Sequence, residues 1–255
     1  MSLIDKITDA IHKKQDMTHP FTSAVIVAGG NGTRAGGNVA KQHRLIAGVP
    51  VIVRTLFAFE KSNVTDEIIL VVRREDISQY IEYLKTYKIK KVKKITVGGE
   101  TRFDSVRRGF KLISDKARFV AVHDGARCLI TDKNIRDVYS AAYRSNAACA
   151  VKKCSDTVKA IDPNGNITST IDRTKCLMAQ TPQVFKTELY RAALANAKKD
   201  KTAFTDDCSI VEKLGFSIVP VECGEENIKI TTSSDFYLAE TILALRSREN
   251  GGKNI

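Results

Sequence analysis

From Ser23 onward, short runs of consecutive apolar residues alternate with longer stretches in which apolar residues return every three or four positions. SAVIVAGG, EIILVVRR, KVKKITVGG and ARFVAVHDGAR have strand length, and IILVV and FVAV carry no polar face, as strands buried on both sides do. VIVRTLFAFEKS, Ile77 to Tyr87, Arg102 to Ile113 and Asp132 to Ser145 have helical spacing, after which ACAVKKC returns to β character. This order predicts an α/β fold, a Rossmann-like, mostly parallel sheet with helices on both faces.

The regularity breaks at about 154–178. There Thr, Ile and Val alternate on both sides of Asp162-Pro163-Asn164-Gly165, a strong turn signal, which predicts a β-hairpin leaving the main sheet. So polar an arm has little to bury alone, so it is expected to protrude and pack on a second subunit. Beyond it the pattern predicts a helix from Thr187 to Lys198, another after Thr205, a strand in FSIVPVECG, the segment NIKIT, and a closing helix from Ser234 to Arg246. Leu3, Ile4, Ile7 and Ile11 mark a short amphipathic helix in an N-terminal extension, 1–22, outside a domain spanning 23–246, and 247–255 reads as a flexible tail.

Composition changes the picture mainly by exclusion. With 43% hydrophobic and 27% charged residues the chain is globular rather than disordered. No apolar run approaches the ~18 residues of a membrane span, and charges from Asp5 onward leave no signal-peptide core. Six cysteines without a CxxC pair argue against structural zinc and for reduced thiols, hence a cytoplasmic protein. The net charge of +12 suits polyanionic substrates. The run Lys88 to Lys94 alternates with Ile89 and Val92 and lacks downstream aromatics, so it reads as a solvated strand face rather than a nucleic-acid site.

The most informative segment is AGGNGTRAGGNVAKQ, after the first strand, because ligands of open α/β sheets bind outside the carboxyl ends of strands. Gly29, Gly30 and Gly32 let backbone N–H groups approach an anion, with Arg34 and Lys41 within reach of it. Gly30-x-Gly32-x-x-Ala35 matches a loosened dinucleotide fingerprint, yet the next strand ends in Arg73 and Arg74 rather than a ribose-holding acid. A Walker loop would need GK[ST], which is missing. A loop gripping the triphosphate of an incoming nucleotide, of the nucleotide-sugar pyrophosphorylase type, accounts for the glycines and both cations together.

With GGETRFDSVRRG, VHDGAR, SDTVK, TIDRTKCLMAQTPQVF, TDDCSIVEKLG and ENIKIT following in order, the chain resembles the 2-C-methyl-D-erythritol 4-phosphate cytidylyltransferase family from about Ser23 to Arg246. The resemblance implies transfer from CTP to a polyol phosphate, with Mg2+ as cofactor and a homodimer as the working unit. It implies Arg34, Lys41 and Lys229 as catalytic cations on the CTP phosphates. Ala28, Gly29, Gly30, Gly32, Gly99, Glu100, Ser105, Asp124 and Gly125 correspond to the nucleotide site, with Gly99, Glu100 and Ser105 at the cytosine and Asp124 also at the metal. Arg127, Thr157, Arg173, Thr181 and Thr205 correspond to acceptor contacts, Thr157 and Arg173 being donated by the arm of the neighbouring subunit.

The chain departs from the family pattern at Ala40 and Cys128, where proline is usual, and at His43 and Arg44, where an aromatic and leucine are usual. The ribitol-5-phosphate cytidylyltransferases share most of these motifs, and the intact Asp172-Arg173 favours the methylerythritol acceptor. A dinucleotide-binding oxidoreductase and a non-catalytic nucleic-acid binder are the rivals from other classes. His123 reads as a packing and hydrogen-bonding residue and Cys128 as structural.

Overall fold

The computed structural model describes residues 19–30, 40–198 and 204–249. The helix expected at Leu3 to Ile11, most of the tail, Gly32 and Arg34 lie outside the described residues. Strand β1 (Thr22–Val27) is followed by a short pair, β2 (Leu45–Ile46) and β3 (Val49–Pro50), then α1 (Val51–Lys61), β4 (Glu67–Val72), α2 (Ile77–Thr86) and β5 (Val92–Val97). Next come α3 (Arg102–Phe110), β6 (Phe119–Asp124), α4 (Asp132–Ser145) and β7 (Ala147–Lys153). A hairpin of β8 (Val158–Ile161) and β9 (Ile167–Ile171) leads into β10 (Leu177–Lys186), α5 (Thr187–Ala197), α6 (Asp207–Glu212), β11 (Val219–Glu222) and α7 (Ser234–Glu249).

Seven strands form one sheet in the order β11-β7-β10-β6-β1-β4-β5. All neighbours are parallel except β10, which runs antiparallel between β6 and β7. The period of two along each strand sorts its side chains into two cores. Ala24, Ile26, Ile68, Leu70, Phe119 and Ala121 pack with α1, α2 and α4, whereas Val25, Ile69, Val71, Val120 and Val122 pack with α3, α5 and α6. A third cluster seats Phe236, Ala239 and Ile242 of α7 on Ile46, Val51, Cys128 and Leu129, next to the carboxyl ends of the strands. Among the described residues no helix is long and apolar enough to cross a membrane.

Local chemistry sets the element ends. The Thr101 hydroxyl accepts from Asp104 N at 3.0 Å and caps α3, Thr131 caps α4 through Asn134 N, and Asp206 caps α6 through Ser209 N. Asn146 closes α4 at φ 70°, a left-handed position asparagine tolerates. In the hairpin, Asp162 accepts from the N–H groups of Asn164 and Asn166, and Gly165 takes φ 86°.

Strand β10 and the β2–β3 pair were not assigned from sequence. β10 buries Gln180, Thr181 and Gln183, so its pattern lacks an apolar face, and its register shifts between Ala179 and Gln183. The hairpin forms a separate two-stranded sheet, with Ile161 and Ile167 about two-thirds exposed. α7 extends beyond Arg246 to Glu249.

Candidate active site

The chain passes from β1 to β4 and β5 on one side and then to β6 on the other, so the switch point of the sheet lies at the carboxyl end of β1. A cleft of about 530 Å³ opens there, lined by Val27, Gly29 and Gly30 after β1, Lys41 and Gln42, residues 99–102 and Ser105 after β5, Asp124 and Ala126 after β6, and Lys229.

Each wall is pinned by its own contacts. The Gln42 side-chain amide donates to Gly30 O at 3.2 Å and Ile52 N donates to Gln42 O at 3.1 Å, tying the Lys41 turn to the glycine loop and to α1. On the β5 side, Gly99 N donates to Ser105 Oγ at 3.0 Å, and a Cβ on Gly99 would collide with Asp104. The segment carrying Lys229 is held by Asn227, whose amide donates to Gln180 Oε1 and to Thr181 O, both at 3.0 Å, and by Ile230 N on Ala126 O. Lys41 and Lys229, far apart in sequence, thus face one cavity.

Asp124 is the electrostatic hub. Lys229 Nζ lies 2.8 Å from Oδ2, Arg102 Nε 3.4 Å from Oδ1 and Arg127 Nε 3.8 Å from Oδ2. Burial alone would raise its pKa, but these three cations outweigh burial and hold the carboxyl well below the usual range. Arg102 also donates to Asp207 Oδ2 at 2.7 Å, and the Tyr190 hydroxyl donates to Asp207 Oδ1 at 2.5 Å. Asp207 N and Cys208 N both donate to Gln183 Oε1, so buried polar groups of β10 anchor the start of α6.

His123 stands behind Asp124, fully buried. Its Nε2 is 3.2 Å from the Arg127 carbonyl, which can only accept, so the ring proton sits on Nε2. Nδ1 then accepts from the Thr181 hydroxyl at 3.1 Å, and that oxygen accepts from Asp124 N at 3.0 Å. Burial pushes the imidazole down to about 3, so it stays neutral and packs, as its position in the sequence suggested. Cys128 is likewise buried, its thiol pushed up to about 12 by burial.

The sequence-derived residues fall into four groups. Lys41, Lys229, Gly29, Gly30, Gly99, Glu100, Ser105 and Asp124 meet at the cleft. Ala28, Gly125, Arg127 and Thr181 lie behind its wall. Ala28 N donates to Val71 O, a Cβ on Gly125 would lie 2.9 Å from Ile52 Cδ1, and the Arg127 guanidinium donates to Asn227 O at 2.8 Å. Thr157, Arg173 and Thr205 are exposed and line no part of the cleft, and Arg173 donates to Ser155 O at 2.5 Å. Arg34 and Gly32 lie outside the described residues. Arg102 was missed, although a cation in the first turn of α3, where the helix dipole favours acids, was a usable signal.

Among the described residues no group of three His, Cys, Asp or Glu could hold a metal. Of the two acidic residues among the described lining, Asp124 is the one surrounded by the cations. A single carboxylate fits Mg2+ bound mainly by phosphate and water, as is usual for nucleotide complexes.

Comparison with known proteins places the chain in a family. The family profile described as 2-C-methyl-D-erythritol 4-phosphate cytidylyltransferase matches residues 22–245. Proteins of that name from Syntrophus aciditrophicus and Endomicrobium trichonymphae are each 42% identical, over 88% and 87% of this chain and 96% and 98% of theirs. The crystal structure of the 4-diphosphocytidyl-2C-methyl-D-erythritol synthase of Anaerococcus prevotii superimposes with TM-score 0.79 at 28% identity, covering 88% of this chain and 96% of that one. The Francisella tularensis 2-C-methyl-D-erythritol 4-phosphate cytidylyltransferase does so with TM-score 0.71 at 29% identity, covering 87% and 99%. With the profile spanning the whole sheet and the cleft, the chain belongs to the 2-C-methyl-D-erythritol 4-phosphate cytidylyltransferase family.

Proposed function

We propose that the chain joins 2-C-methyl-D-erythritol 4-phosphate to the cytidylyl group of CTP and releases pyrophosphate, working as a cytoplasmic homodimer with Mg2+. The attacking group is a phosphate monoester, largely dianionic near neutrality because its second pKa is about 6. It therefore needs no general base, which agrees with a cleft whose described lining includes no histidine, and with His123, behind Asp124, being occupied on both nitrogens.

The barrier is the approach of one anion to another, and fixed positive charge with tight positioning is how proteins lower it. Gly29 and Gly30 bring backbone N–H groups to the triphosphate, and Lys41 and Lys229 flank the reacting phosphorus. Gly99, Glu100 and Ser105 receive the cytosine. Asp124 would hold Mg2+, which when bound adds positive charge to the phosphate oxygens. Arg127 and Thr181 hold that region in shape, and Thr157 and Arg173 reach the acceptor phosphate of the neighbouring subunit, where guanidinium can bind two oxygens. The exposed Ile161, Ile167, Leu177 and Met178 of the arm and its root favour burial against a second copy.

The observation carrying this reading is that Lys41 and Lys229 share a cleft with the glycine loop and the Gly99–Ser105 wall. The test is pyrophosphate release from CTP and Mg2+ with either polyol phosphate. Turnover is expected with methylerythritol 4-phosphate, and turnover only with ribitol 5-phosphate would replace the acceptor. UTP and ATP in place of CTP should give little product.

A further inference from the structure

The cysteines divide into two classes. Cys128, Cys149, Cys208 and Cys223 are buried, whereas Cys154 and Cys176 are half-buried and sit on the two stems of the arm. Strands β7 and β10 pair as Val151↔Ala179, Lys152↔Met178 and Lys153↔Leu177, and one step outward the same register sets Cys154 against Cys176. The stems stay together beyond that point, since the Arg173 guanidinium donates to the carbonyl oxygen of Ser155, the residue after Cys154. Directly opposed residues of an antiparallel pair have Cα atoms about 4.5 or about 5.5 Å apart, and both separations lie inside the ~4.4–6.8 Å that a disulfide spans. The Cys176 thiol now donates to Asp172 O at 3.6 Å, a weak contact easily given up.

We propose that Cys154 and Cys176 are a dithiol that closes into a cross-strand disulfide at the root of the arm when it meets a disulfide-class oxidant. One cysteine thiolate attacks the oxidant's S–S bond and expels the first thiol. The second thiolate then attacks the protein sulfur of the mixed disulfide and expels the other thiol. One S–S bond breaks and one forms, and the two protons and two electrons lost by the protein leave on two small thiols. Burial keeps the remaining cysteines out of the exchange, with the Cys128 and Cys223 thiols each pushed up to about 12.

Position gives the bridge a consequence. Thr157 follows closely after Cys154, and Arg173 closely precedes Cys176. A bridge would fix the spacing of the stems that carry both residues, and so change acceptor binding rather than CTP binding. This consequence rests on the acceptor role proposed above for the arm.

The test treats the full-length protein with oxidised glutathione, alkylates the remaining thiols and maps peptides by mass. A Cys154–Cys176 linked peptide, reversed by dithiothreitol, is expected, with the four buried cysteines alkylated only after denaturation. Cys154→Ser should leave Cys176 as a glutathione adduct without a bridge. Independent adducts on both cysteines, a bridge between other cysteines or between chains, or no loss of thiols would overturn the proposal. In parallel kinetics, oxidation should shift KM for the polyol phosphate severalfold, leave KM for CTP unchanged, and have no effect on the Cys154→Ser/Cys176→Ser protein. A bridge that forms without that shift overturns the coupling to the acceptor and leaves the dithiol standing.

Discussion

Replacing Lys229 with Met separates catalytic charge from structural charge at one position. The ammonium is 2.8 Å from Asp124 Oδ2, but its side chain is 37% exposed, and Asp124 keeps Arg102 at 3.4 Å and Arg127 at 3.8 Å. A partly solvated pair of this kind contributes about 1 kcal/mol or less to folding, a Tm change of only about 2–4 °C for a chain of this size. Its effect on the reaction should be much larger under the role proposed above, in which the ammonium stands at the phosphates where charge develops as pyrophosphate leaves. Loss of one such interaction costs ~10²–10³ in kcat, about 2.7–4 kcal/mol. Steady-state pyrophosphate release at saturating CTP and acceptor, with a thermal melt of the same preparation, measures both quantities. A kcat within a factor of a few of the parent, or a rate loss matched by an equally large loss of stability, would refute the reasoning.

Further outcomes follow from the same geometry. Asp124→Asn removes the carboxylate that faces Arg127 and Lys229, while Arg102 keeps Asp207 at 2.7 Å, and should cost ~3–5 kcal/mol in urea unfolding. Because the folded pKa of Asp124 is depressed, its contribution is complete above the unfolded value of ~3.9 and is lost as pH falls through the still lower folded value. The stability gap between parent and Asp124→Asn should therefore narrow in acid, and a constant gap would contradict the assignment. Gly99→Ala forces a Cβ onto Asp104 beside the capping turn of α3, so about 1–3 kcal/mol of destabilisation and weaker CTP binding by calorimetry are expected. Mixed dimers of Arg173→Ala and Lys229→Met subunits should recover activity that neither homodimer has, and no recovery would place Arg173 outside the partner's site.

The sequence exposed those elements whose stability comes from apolar periodicity. IILVV has no polar position, and β4 buries every residue, its leading Glu67 included; Asp132 to Ser145 is α4 with its Thr131 cap in place. The hairpin was legible for a different reason, since Asp162 and Gly165 specify their own turn. β10 was not, because Gln180, Thr181 and Gln183 are buried as hydrogen-bonding partners of Asn227, His123 and the α6 N-terminus, and such partners are invisible until the chain is folded. At the site, Gly29, Gly30 and Lys41 announced themselves by type and spacing in one loop, whereas Lys229, Gly99 and Ser105 were reached only through the family resemblance. Arg102 offered only its odd place in the first turn of α3, since the reason for it lies in Asp124 and Asp207, which only the fold brings to it.

The most direct test of the central claim is a structure of the chain with CTP bound. The account predicts the cytosine against Gly99 and Ser105, the triphosphate over Gly29 and Gly30, and the α-phosphate between Lys41 and Lys229. A nucleotide seated elsewhere, or a triphosphate contacting neither lysine, would contradict it.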